Sequence, residues 1–167
     1  MSIGSLAKPH GAGGVRIGWM VSQDIALLTR AVEIRRTLSV CSGTTDEWLA
    51  RLILEHSQPL RAASLQRLKH HVGIIEESLP ALDGRLTWTR PEAGCVAFPL
   101  IALGDGFDQR CLSETGIMLI PQRCFIGSAE EGRGDVQMTL AGGIRLGYGL
   151  ADFPETWARF VEFLAHA

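Results

Sequence analysis

The chain has 167 residues, of which 46% are hydrophobic and 20% charged. That composition suits one ordinary globular domain or two small ones and argues against a disordered chain. A formal net charge of -2 gives no reason to expect nucleic acid or an anionic membrane as a partner. The longest apolar run, 95–103, is too short to span a bilayer and contains Pro99. No basic segment followed by an apolar core opens the sequence, so no secretory signal is read and a cytoplasmic protein is expected.

Taken in order, 1–4 reads as the end of a strand that leads to Lys8, and 15–21 as an apolar, β-branched strand. Ser22 or Asp24 can cap a helix that runs to about Ser39, with Ile25, Leu28 and Val32 on one stripe and Leu27, Ala31, Ile34 and Leu38 on its neighbour. Thr44 and Glu47 have capping-box spacing for a second helix that runs to about His56, whose buried face would be Trp48, Leu49, Leu52 and Ile53 and which Gln58-Pro59 would close. The segment 60–82 carries Leu65, Leu68, Val72, Ile75, Leu79 and Leu82 at alternating spacings of three and four. This predicts one long helix; a coiled-coil dimer is conceivable, but fewer than three heptads with Gly73 among them favour packing on its own protein.

After the Asp83-Gly84 turn the pattern changes to strands: a short one at 86–88, a turn at 91–94 and a mostly apolar strand at 95–103. A short helix over 105–114, with Phe107 and Leu112 apolar, would end at Gly116. An edge strand at 117–121 ends in Pro121, and 129–137 reads as an exposed loop. In the strand at 142–149, Ile144, Leu146 and Tyr148 face one way and Arg145 the other, between Gly143 and Gly147. The last helix has Asp152 and Glu155 as a capping box, Pro154 in its first turn and Trp157, Phe160, Val161 and Leu164 as its core stripe.

The four cysteines at 41, 95, 111 and 124 have no Cys-x-x-Cys spacing and the five histidines no ligand pattern, so no metal is expected. The cysteines read as small buried hydrophobes of a reducing compartment. His70 and His71 sit side by side on a helix and point in different directions.

Chemistry concentrates in Ser5-Leu6-Ala7-Lys8-Pro9-His10-Gly11-Ala12-Gly13-Gly14-Val15-Arg16-Ile17-Gly18. It is not a phosphate-binding P-loop, which needs Gly-Lys-Ser/Thr after its spacer. It is not a dinucleotide fingerprint either, since position 16 is Arg where Gly is required. A lone lysine before a glycine turn would read as an exposed lysine beside a flexible loop. Here the whole stretch resembles the lysine signature of the class I/II aminotransferases, fold-type I enzymes that use pyridoxal 5′-phosphate (PLP). The resemblance implies that Lys8 joins the cofactor as a Schiff base and that Ser5 and Arg16 hold its phosphate. The chemistry agrees: a carbonyl cofactor needs a primary amine, neutral when it attacks, and a guanidinium grips phosphate through two parallel hydrogen bonds.

Further resemblances lie downstream. Ala93-Gly94 nearly matches the family's Pro-x-Gly-Gly, and 116–121 its Gly-apolar-apolar-Pro, although Gln122-Arg123 stand where the family has Gly and a small hydroxyl residue. Arg145 falls on the arginine that forms a bidentate pair with the substrate α-carboxylate; the alternative is a structural ion pair to an acid such as Glu92.

Family members run to roughly twice this length, beyond one usual domain, and their lysine lies past the midpoint. The resemblance therefore implies an α/β fold comprising the C-terminal part of a fold-type I PLP-dependent transferase. Residues 1–59 would be the remainder of the large PLP-binding domain, 60–82 a long interdomain helix and 83–167 a small α+β domain. The implied activity is amino-group transfer between an amino acid and a 2-oxo acid, by a homodimer in its full-length form. The alternatives are another PLP reaction on the same scaffold (lyase, decarboxylase or cyclase), or an inactive remnant acting as an interaction module.

Overall fold

A computed structural model describes residues 1–102, 104, 106–125 and 142–167. The expected loop at 129–137 lies outside the described residues. The chain divides into two compact units, Met1–Gln66 and Arg67–Ala167.

In the first unit, β1 (Ser2–Ser5) pairs antiparallel with β2 (Gly18–Val21), Ser2 facing Val21 and Ser5 facing Gly18. The second strand is shorter than the 15–21 expected: the Ile17 N–H donates to the Val15 carbonyl at 2.8 Å, a three-residue turn that holds Val15–Ile17 out of the ladder. Helix α1 (Ile25–Leu38) begins where the sequence indicates, with the Asp24 carboxylate accepting from the Leu27 N–H at 3.0 Å. No residue of α1 is buried.

Helix α2 (Thr44–Glu55) departs from expectation at its start. Its N-cap is Gly43, without a side-chain cap, because Thr44 already lies inside the helix. Its C-cap is His56, where the helix was expected to end, but Pro59 is not what closes it: Pro59 stands in the first turn of α3 (Ser57–Ser78), where its missing N–H costs nothing. Ala50 is the one buried residue of α2, and Trp48, expected on the buried face, is 59% exposed.

The long helix is present as α3 and a following 3-10 turn, Leu79–Leu82. Its apolar seam is buried at Val72, Ile75 and Leu82, half-buried at Leu68 and Leu79, and exposed at Leu65. The Asp83-Gly84 turn has both residues at positive φ.

In the second unit, β3 (Leu86–Thr87) pairs with β5 (Leu100–Ile101), while β4 (Val96–Ala97), β7 (Ile144–Gly147) and β6 (Ile120–Pro121) form a sheet with β7 in the middle. All pairings are antiparallel. The expected strand at 95–103 is thus broken at Phe98-Pro99. Pro99 has no N–H to give a ladder, though its carbonyl still accepts from the Ile144 N–H at 3.0 Å. The edge strand at 117–121 is paired only over its last two residues.

Helix α4 (Phe107–Thr115) ends at Gly116 as expected, with φ +73. It buries Phe107 and Cys111 and leaves Leu112 exposed, so the inward positions are four apart. Helix α5 (Phe153–His166) has Asp152 at its N-cap but no side-chain cap bond, so the expected capping box does not form. Its stripe is broader than expected: Phe153, Trp157, Phe160, Phe163 and Leu164 are buried and Val161 is partly so. This stripe, the α3 seam and the inner faces of β3, β5 and β7 make the core.

The cysteines correct another expectation. Cys111 is fully buried, Cys95 intermediate, and Cys41 and Cys124 are exposed. Burial pushes the Cys111 thiol up, the Thr115 hydroxyl opposing weakly. Among the described residues no cluster could hold a metal ion and no helix is long and apolar enough to cross a membrane.

Candidate functional site

The β1–β2 hairpin brings Ser5, Lys8 and Arg16 onto one short stretch of chain. Ser5 ends β1 opposite Gly18. Leu6, fully buried, anchors the start of the loop, and its N–H donates to the Ile17 carbonyl at 3.3 Å. Lys8 opens a tight turn in which the Gly11 N–H donates to the Lys8 carbonyl at 3.4 Å. Gly11 has φ +67, a conformation glycine adopts without steric penalty. Arg16 sits in the Val15–Ile17 turn rather than in the strand.

Electrostatically the loop is unbalanced. Arg16 gives one N–H to the Gly13 carbonyl at 3.1 Å and is otherwise exposed. Among the described residues no carboxylate pairs with Lys8 or Arg16. A Cβ added at Gly13 or Gly14 would meet nothing within 4 Å. Two cations, a hydroxyl and open space beside glycine backbone suit an anionic, phosphate-bearing group with a reactive carbonyl.

One contact of this loop leaves no trace in the sequence. His10 Nε2 lies 2.8 Å from the hydroxyl of Ser57, the first residue of α3, and His10 Nδ1 is buried with no partner among the described residues. The two residues are 47 positions apart, and no local spacing links them.

Arg145 belongs to the second unit. It lies on β7 opposite Ile120 of β6, flanked by Ile144 and Leu146, which turn inward. The expected alternation holds: Ile144, Leu146 and Tyr148 are buried and Arg145 is half-exposed. Among the described residues its guanidinium has no ion pair, with Glu92 or any other acid. A Cβ on Gly147 would meet nothing within 4 Å, so the space beside Arg145 is open there. The strand's register is held beyond its ladder: the Tyr148 N–H donates to Cys95, its hydroxyl donates to the Gly94 carbonyl at 3.0 Å, and buried His71 donates from Nδ1 to the Tyr148 carbonyl at 2.8 Å.

Gln122 and Arg123, which depart from the family pattern, lie in a 3-10 turn after β6. Arg123 clasps Asp108 with both of its terminal nitrogens. The Arg123 hydrogen bonds hold the Asp108 carboxyl below the ordinary carboxylate range, against the opposing effect of burial.

This fold is that of a portion of the fold-type I PLP-dependent transferases. A PLP-dependent aminotransferase from Streptococcus suis 89-1591 superposes with a TM-score of 0.77 at 24% identity, covering 98% of this chain and 40% of that one. The PLP-dependent cyclase OrfR gives 0.75 at 24% identity, covering 96% and 42%. LysN, an α-aminoadipate aminotransferase from Thermus thermophilus solved with N-(5′-phosphopyridoxyl)-L-leucine, gives 0.64 at 19% identity, covering 93% and 38%. The family model for aminotransferase class I and II matches residues 1–150, and the chain belongs to that family. In sequence it is similar to capreomycidine synthase of Streptomyces vinaceus, 32% identical over 137 residues. That match takes in 80% of this chain and 34% of the relative, so the chain spans about a third of the length of the curated relative it matches.

Proposed function

We propose that this chain carries the cofactor lysine and the substrate arginine of a PLP-dependent aminotransferase, which moves an amino group between an amino acid and a 2-oxo acid. The observation behind this reading is the hairpin loop: a lysine and an arginine that have no acidic partner among the described residues, and a serine hydroxyl, gathered at family spacing. PLP, when bound, supplies an electron sink. Lys8 would hold it through its amine and would serve as the base and acid that carries a proton at the substrate Cα. Ser5 and Arg16 bind the phosphate, Arg16 through the two-pronged geometry that a lysine lacks. Arg145 orients the substrate by its α-carboxylate. In this reading 1–59 is large-domain chain, 60–82 the interdomain helix and 83–167 the small domain, and the working enzyme is a cytoplasmic homodimer.

A second reading, another PLP reaction on the same residues, is favoured by the names of two similar proteins, a synthase and a cyclase. The experiment supplies the PLP-treated protein with amino acids and a 2-oxo acid acceptor. Appearance of the acceptor's amino acid supports transamination. Consumption of the donor with no amination of the acceptor supports lyase, decarboxylase or cyclase chemistry and contradicts the first reading.

A further inference from the structure

We infer that His10 is a positioning residue for Lys8, which its bond to Ser57 fastens to the start of α3; this rests on the reading of Lys8 as the cofactor lysine. The good ties within the loop between β1 and β2 lie in its second half, where the Val15 N–H donates to the Ala12 carbonyl at 3.1 Å, the Ile17 N–H to the Val15 carbonyl at 2.8 Å and Arg16 to the Gly13 carbonyl at 3.1 Å. The half that carries Lys8 is held less well. Its backbone bonds Leu6–Ile17 and Leu6–Ala12, at 3.3 and 3.4 Å, lie beyond the usual range for N–H···O contacts. Gly11, Gly13 and Gly14 offer no side chain to pack, and among the described residues no atom beyond the adjoining ones lies within 4 Å of where their Cβ would be. Glycine-rich backbone of this kind loses the most conformational freedom on being ordered.

His10 supplies what the loop lacks. Its 2.8 Å bond to Ser57 reaches a helix of 22 residues, a rigid support of the kind that holds functional side chains in place. The restraint passes to Lys8 over a short path. Only Pro9 intervenes, and its ring locks φ. The histidine ring also carries a cost, since Nδ1 is buried without a partner among the described residues. An apolar ring would avoid that cost but could not bond the serine. The tether therefore accounts for a polar ring at this place.

The test measures how fast Lys8 takes a borohydride-stable pyridoxyl label, followed by mass spectrometry in the full chain. Lys69, the only other lysine, serves as the internal standard. His10→Ala and Ser57→Ala should each slow Lys8 labelling by about three- to tenfold, the range one hydrogen bond carries. Lys69 should be unaffected, and the double variant should lose no more than either single one. His10→Gln, whose amide can reach the same hydroxyl, should recover most of the rate. Amide exchange over 11–17 should quicken in His10→Ala even without cofactor. Labelling of wild-type Lys8 together with an unchanged rate in His10→Ala overturns the inference alone, as does equal slowing at both lysines or summed losses in the double variant. If His10→Ala lowers the melting temperature, Ser57→Ala and His10→Gln decide by the same criteria. Absence of any label on wild-type Lys8 would instead remove the cofactor reading, and this inference with it.

Discussion

Arg145 shows how one side chain acquires a function from its neighbours. Strand alternation turns Ile144 and Leu146 into the core, so Arg145 must face the other way. Gly147 beside it adds no bulk, and among the described residues no acid neutralises it. Replacing Arg145 with lysine keeps the charge and removes the fork. We expect amino acid binding to weaken by about ten- to a hundredfold, the range set by charge-assisted hydrogen bonds, while Lys8 labelling by PLP is unchanged. Equal loss of both, measured by calorimetry and by label yield, would assign Arg145 a structural role. Asp108 makes a contrasting case, since its arginine partner is its own. Its carboxyl titrates below its unfolded value, so the stabilisation is present above that value and disappears as pH falls through the lower folded one. Thermal melts from about pH 5 to about pH 2 should show a shallower acid decline in Asp108→Asn than in wild type. Because Arg123 is largely exposed, solvent screening keeps the effect modest.

Among the elements, the helices were the most legible, because a period of 3.6 leaves a mark in any sequence. The α3 seam and the α5 stripe were both visible in this way, whereas the ends of elements were not. Thr44 and Glu47 have the spacing of a capping box, yet the helix starts one residue earlier than that box requires. Pro59 can stop one helix or start the next, and only the break at His56 decides between them. The run at 95–103 is apolar throughout, but β4 and β5 pair with different strands, a tertiary choice that composition does not record. The lysine loop was legible as a motif; its tie through His10 to Ser57 was not, since 47 residues separate the partners.

The joint between α5 and α3 gives a stability prediction. Trp157 is 2% exposed and its indole N–H donates to the Ser78 hydroxyl at 3.0 Å, which in turn donates to the Ile75 carbonyl. Trp157→Ala should destabilise the second unit by about 3–5 kcal/mol through the cavity it leaves. Trp157→Phe should cost clearly less in the same denaturant titration. Equal costs would mean that the ring volume is not what matters.

Across the whole molecule, the two units differ in how they treat apolar side chains. Among the described residues, the second gathers fifteen buried hydrophobic residues into one cluster, while the first buries only Leu6 and Ala50. Ile25, Ile34 and Leu38 of α1 are 70%, 58% and 79% exposed. Exposed apolar surface of this kind contributes little to the stability of the chain itself and favours association. Ile25→Lys with Ile34→Glu should therefore leave the melting temperature nearly unchanged and lower self-association in light scattering. A large drop in melting temperature would show that α1 packs inward after all.

The functional expectations converge on a single amine. The most direct measurement incubates the chain with PLP, reduces with borohydride and maps the pyridoxyl group by peptide mass. The account predicts the added mass on Lys8 in preference to Lys69 and its loss from position 8 in Lys8→Ala. Equal modification of the two lysines, or none at Lys8, would contradict it.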